Sequence, residues 1–136
     1  MMGNSLMDEK EACLMNPLQL AYMGDAVWEE IVRKWLILQR MNVHHMHTEC
    51  VRRVNAGAQA QALSCIKPLL TECEQALVQR GRNAHAKHPS PKHQDPADYA
   101  EATGFETLLG FLFLTGQTER LVELKTIILE EMIQNA

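Results

Sequence analysis

Two dipeptides in this 136-residue chain, Asn16-Pro17 and Asp95-Pro96, constrain its fold more than any other feature. Each sets a side-chain acceptor in front of a proline. That pairing starts a helix, because the acceptor satisfies a free N–H of the first turn and proline lacks the N–H that would go unpaired. Each is followed by a long, mostly apolar run with no strand-like alternation. The first run, "PLQLAYMGDAVWEEIVRKWLILQR", predicts a helix to about Arg40; the second, "ADYAEATGFETLLGFLFLT", predicts one that Gly116 ends. Between them, "MNVHHMH" reads as a loop, and Thr48 is placed to cap a helix through "ECVRRVNAGAQAQALSCI" that Lys67-Pro68 interrupts. Thr71 and Glu74 fit a capping box opening a further helix to about Arg80. Thr118 caps a last one, "ERLVELKTIILEEMI".

Leu, Ala, Met, Gln and Glu dominate and β-branched residues are sparse, which favours helix throughout. The expectation is an all-α single domain over residues 1–136, with a core at about 16–134 and an N-terminal extension at 1–15. With 46% hydrophobic and 22% charged residues the chain is globular. No apolar run reaches membrane-span length, and the acidic start "MMGNSLMDEKEACL" has neither a secretory h-region nor the basic character of a transit peptide. Cys13, Cys50, Cys65 and Cys73 are scattered and read as reduced thiols. Together these features point to a cytoplasmic protein without a membrane partner. The net charge of −4 argues against a generally basic nucleic-acid coat protein. It leaves room for a local basic site, since a ligand feels mainly the charges within a Debye length of about 8 Å.

Two carboxylates fall on apolar helix faces. Asp25 follows Gly24, and its neighbours at helical spacing include Leu18, Ala21, Tyr22, Trp28 and Val32. Glu106 has Ala102, Thr103, Leu109, Gly110 and Phe113 around it. No Lys or Arg lies within one turn of either acid. A lone ionised carboxylate in such surroundings is destabilising by several kcal/mol unless something compensates. Two such acids can compensate each other by sharing a divalent cation, and Mg²⁺, with Mn²⁺ as a substitute, needs only one or two protein carboxylates. Gly24 and Gly110 each remove a side chain beside an acid, so that another helix or a ligand can come close. The bland alternative is a hydrogen-bonded structural acid or one at the rim of the core.

A basic stretch precedes Asp95. Arg80, Arg82, Lys87 and Lys92 lie within thirteen residues, with Asn83, His85 and His88 among them, His93 directly after and no acid before Asp95. The segment "GRNAHAKHPSPKHQD" reads as a long polar loop, and loops of this length usually serve a function or are disordered. A solvated surface is the plain reading. A phosphate-binding loop is the other, and the cluster stands out in an acidic chain. Arg52 and Arg53 are weaker candidates for phosphate contacts. His47-x-x-Cys50 and His85-x-x-His88 have ligand-like spacing, but the chain has no Cys-x-x-Cys, and a structural zinc site is not expected.

"YMGDAVWE" and "GFETLLGFLFL" resemble the two acidic helices of the ribonuclease III family. "RGRNA", then "PK", then "TGFETLLG" follow the order of its short bacterial Mini-ribonuclease III branch, which lacks a double-stranded-RNA-binding domain, and "VNAGAQAQAL" is similar to that branch's second-helix segment. The resemblance spans about residues 16 to 130. It implies a ribonuclease III-type helical homodimer and a Mg²⁺-dependent endoribonuclease acting on double-stranded RNA. Asp25 and Glu106 would be catalytic and metal-binding. Arg80, Arg82, Asn83, Lys87 and Lys92 would be RNA-binding, and Tyr22 would sit at the dimer interface. It further implies precursor 23S ribosomal RNA as the substrate and a ribosomal protein as an additional partner. Full-length family members bring four acids to the metal; here the position four before Asp25 is Ala21 and the position three before Glu106 is Thr103. The residues therefore support one ion. Two rivals are a catalytically inactive relative in RNA binding or ribosome assembly, and a helical protein-interaction module.

Overall fold

The computed structural model describes residues 5–85 and 95–134. The helices are α1 (Glu9–Leu14), α2 (Pro17–Leu38), α3 (Val43–Val54), α4 (Ala56–Ile66), α5 (Glu72–His85), α6 (Pro96–Leu114) and α7 (Thr118–Gln134), with a single 3-10 turn at Lys67–Leu69. There is no strand among the described residues, so the all-α expectation holds. None of the described helices is long and apolar enough to cross a membrane.

The proline starts behave as their chemistry requires. Asn16 accepts from the Leu18 N–H at 2.9 Å and Asp95 from the Ala97 N–H at 2.8 Å. Thr71 and Glu74 cap each other's N–H groups at 3.1 and 2.9 Å. Gly116 ends α6 at φ +72°, a conformation open to glycine at little cost.

Helix α6 is the axis of the core. Every residue from Ala102 to Leu112 is buried except Glu106, and α2, α4 and α5 pack around it. Trp28 of α2 meets Phe105 of α6 edge to face, with ring centroids 5.2 Å apart. At the α2–α6 crossing the main chains touch. A Cβ on Gly110 would overlap the Leu20 carbonyl oxygen and lie 3.1 Å from the Gly24 nitrogen; one on Gly24 would overlap the Glu106 carbonyl and lie 2.9 Å from its Cα. A second close approach joins α5 to α6, where a Cβ on Gly81 would lie 2.9 Å from the Gly104 Cα.

Three local expectations need correction. The "MNVHHMH" stretch is not a loop: Asn42 accepts from the His45 N–H at 2.8 Å and starts α3 there, leaving Thr48 inside the helix with its hydroxyl on the His44 carbonyl. The helix expected to run on to Ile66 is broken at Asn55, which accepts from the Ala58 N–H at 2.8 Å and restarts the chain as α4. Helix α5 continues past Arg80 to His85, and Gly81 lets it lie against Gly104 of α6. Asp8 also opens a short helix, α1, that the sequence reading leaves out. The segment before it docks on the end of α6, with Leu6 and Met7 both donating to the Leu114 carbonyl.

Candidate active site

Asp25 is on α2 directly after Gly24, and Glu106 is on α6 one turn before Gly110. Because the two glycines bring the main chains together, the two side chains, 81 positions apart in sequence, meet and hydrogen-bond. Their environments differ. Asp25 is exposed, so the expectation of a buried acid fails for it: Ala21, Gly24 and Trp28 face the core, while Tyr22, Asp25 and Ala26 form a face that nothing among the described residues covers. Glu106 is half-buried. Burial pushes its carboxyl up to about 8, the hydrogen bond to Asp25 and that residue's negative charge push the same way, and a hydrogen bond from Gln59 opposes them. Neither acid forms an ion pair with a Lys or Arg among the described residues.

Gln59 is the site residue that sequence reasoning missed. It is polar and uncharged on the apolar α4, and only 2% exposed. Its amide donates to the Val54 carbonyl at 3.0 Å and also reaches Glu106. The signal available was a glutamine amid "AGAQAQAL", but Gln59 and Gln61 look alike there, and only packing shows which one turns inward.

The positions where larger family members carry acids are filled without charge. Ala21 is buried, and Thr103 is buried with its hydroxyl on the Tyr99 carbonyl at 2.9 Å. Thr107, fully buried, donates to the Thr103 carbonyl at 2.7 Å. These hydroxyls are engaged by α6 itself.

The basic candidates separate. Arg80, Arg82 and Asn83 lie on α5, not in a loop. The Arg80 guanidinium donates to the Cys13 and Met15 carbonyls at 2.8 and 2.9 Å, tying α5 to the end of α1. Arg82 lies 2.9 Å from Glu101, which Lys67 also contacts at 3.1 Å, and 39% of its side chain remains exposed. Asn83 is exposed, with its oxygen accepting from Gln79. Lys87, Lys92, His88 and His93 lie outside the described residues. Arg53 is held by Glu49 and stacks 4.9 Å over the Trp35 ring, whereas Arg52 is 71% exposed beside the same glutamate. Tyr22 is 86% exposed, one turn from Asp25.

Comparison with known proteins gives the chain one family and its fold a solved counterpart. Residues 18–117 match the family model described as the ribonuclease III domain. Proteins named Mini-ribonuclease 3 are similar along most of this chain. That of Symbiobacterium thermophilum is 51% identical over 108 residues, covering 79% of this chain and 82% of its own. That of a Thermoanaerobacter species is 41% identical over 139 residues, covering 96% and 97%. That of Brevibacillus brevis is 43% identical, covering 82% and 83%. A crystal structure of a Fusobacterium nucleatum protein shares the fold, with a TM-score of 0.79 and 25% identity over 88% of this chain and 95% of that one.

Proposed function

Given that the chain belongs to the ribonuclease III family, and within it to Mini-ribonuclease 3, we propose that it is a divalent-metal-dependent endoribonuclease that cuts double-stranded RNA. Precursor 23S ribosomal RNA is the substrate this reading favours, with a homodimer as the working unit and a ribosomal protein as a further partner. The observation that carries the proposal is the meeting of Asp25 and Glu106 at a glycine crossing with no cationic side chain paired to either among the described residues. The proposed donors are Asp25 and Glu106; no group of three or more His, Cys, Asp or Glu among the described residues is arranged to hold a metal. A pair suits Mg²⁺, which takes one or two carboxylates and keeps most of its hydration.

When bound, the ion would supply a nucleophile at neutral pH and stabilise charge on the scissile phosphate. The chain's own residues do the rest. Glu106 loses the proton that burial and Asp25 hold on it. Asp25, at the solvent edge, presents its carboxylate toward the side from which a phosphate can approach. The rigid α2–α6 crossing keeps the two acids in one geometry, which limits the reorganisation required at each turnover.

Incubation with long double-stranded RNA in Mg²⁺ or in EDTA tests the reading. Cleavage in Mg²⁺ alone supports it. A mobility shift without cleavage would favour an inactive RNA-binding relative, and the absence of both would favour a protein-interaction module.

The basic stretch is proposed to hold the RNA backbone. Replacing Arg82, Lys87 and Lys92 together with Ala should raise KM about tenfold or more while kcat changes little, since uniform binding is lost and no chemistry is touched. The logarithmic salt slope of binding should fall by roughly one unit per lost phosphate contact. An unchanged KM and salt slope would show that RNA is held elsewhere.

Tyr22 is the proposed anchor of the dimer. Its 86% exposure on the helix that carries Asp25 supports that reading. Tyr22→Ala should weaken self-association by about 2 kcal/mol or more. Sedimentation velocity at micromolar concentration would reveal this, and an unaltered dimer would remove Tyr22 from the interface.

A further inference from the structure

We propose that Gln59 is a positioning residue, whose amide sets the orientation of the Glu106 carboxylate for binding the cation. This inference rests on the two-acid reading above. It starts from the break between α3 and α4. Helix α3 ends at Val54, and Asn55 restarts the chain as α4, so the Val54 carbonyl has no helical N–H to accept from. The Gln59 Nε2 fills that role at 3.0 Å. This contact fixes which way the amide faces. Rotating the group by half a turn would set its Oε1 against the Val54 oxygen, two acceptors with no proton between them. The amide nitrogen carries a second hydrogen, and the Glu106 carboxyl lies near enough for Gln59 to favour its ionised form.

The other end of the group argues against Gln59 as mere filler. Its Oε1 is buried and has no hydrogen-bond partner among the described residues. A buried acceptor without a donor is destabilising, and an apolar residue of the same shape would remove that cost. What the amide contributes is therefore on its N–H side: one hydrogen on a fixed main-chain oxygen, the other available to the nearby carboxylate. Glu106 reaches its position through three side-chain torsions, and the other polar group acting on it is Asp25, an acid of the same charge. Among the described residues no Lys or Arg pairs with it, so the amide is the group of opposite polarity that favours the ionised carboxylate. Groups that orient a metal-binding side chain through its free lone pair typically change affinity by 10–100-fold when removed.

The test uses the full-length chain and measures Mn²⁺ binding by calorimetry at one fixed pH, alongside steady-state cleavage across a Mn²⁺ titration. Gln59→Leu keeps the volume and removes the amide. Gln59→Asn keeps an amide but shortens its reach by one methylene, and serves if the leucine variant does not fold. Either variant should bind Mn²⁺ about 10–100-fold more weakly than the parent. Cleavage should be recovered at high Mn²⁺, and KM for RNA should stay the same. A role confined to capping α3 would lower the melting temperature but leave Mn²⁺ affinity intact, and that result would overturn the inference. If the parent itself shows no Mn²⁺ binding that Glu106→Gln abolishes, the two-acid reading fails first, so the two failures are told apart by the parent protein alone.

Discussion

Glu106→Gln is expected to abolish cleavage and, in the same protein, to raise stability in the absence of metal. The first effect follows from losing one of two charges that hold the cation. Several kcal/mol of charge stabilisation at the phosphate corresponds to a rate loss on the order of a thousandfold or more. Asp25→Asn should cost a similar factor. The second effect follows from the raised Glu106 carboxyl. Its folded value is about 8 against an ordinary 4.5. A carboxyl shifted upward is destabilising when ionised: the penalty is absent below the ordinary value, grows as pH rises between the two, and levels off above the folded one. At pH 7 it reaches about 3 kcal/mol. Metal-free parent protein should therefore melt progressively lower from pH 5 to pH 8, and Glu106→Gln should flatten that slope. Added Mg²⁺ should raise the melting temperature of the parent and leave the variant where it was. Parallel pH slopes in EDTA would show that Glu106 is not the strained group, whatever happens to cleavage.

Gly110→Ala and Gly24→Ala should be among the most damaging single substitutions in the chain. By helix propensity alone, alanine should be better by about 1 kcal/mol at either position. The crossing reverses the sign. The added methyl at Gly110 would overlap a Leu20 main-chain oxygen, and the one at Gly24 would overlap that of Glu106. Neither neighbour is the flexible tip of a side chain, so relief requires α2 to separate from α6 along the most buried face of the molecule. A loss of about 3 kcal/mol or more is expected, at the upper end of overpacking effects. Gly57→Ala is the control. A Cβ there would find its nearest atoms at 3.5 Å, on the Asn55 and Asp98 side chains, and should be neutral or slightly stabilising. Urea midpoints for the three variants give the comparison. If the alanines at 24 and 110 behave like the one at 57, the main chains do not touch.

Local chemistry made the two long helices legible, because a capping acceptor before proline needs no tertiary support to declare a start. It also made the glycines beside the acids legible as points of close approach. The same chemistry misled at α3. Asn42 and Thr48 are both competent caps; Asn42 takes the role by accepting from the His45 N–H, and the Trp28 indole N–H anchors the far end of the same helix through the Arg53 carbonyl. Asn55 looked like a residue inside a helix because its capping of α4 depends on a change of direction that only packing imposes. Arg80 counted among the basic cluster by its sequence neighbours, yet its two donors are taken by carbonyls 65 and 67 positions away. Glu106 was legible as an anomaly on a greasy helix. Asp25 was legible for the same reason, but its exposure was not, since a single chain's sequence does not say which apolar face stays uncovered.

The contact between Gly81 and Gly104 ties Arg82 and Asn83 to the acids. Both residues follow Gly81 on α5, and Glu106 follows Gly104 by two residues on α6. Main chain resting on main chain at that point leaves no side-chain slack between the two helices. Under the proposed function, a phosphate held by Arg82 would therefore stand at a distance from Glu106 that the backbone sets, as marks stand on a ruler.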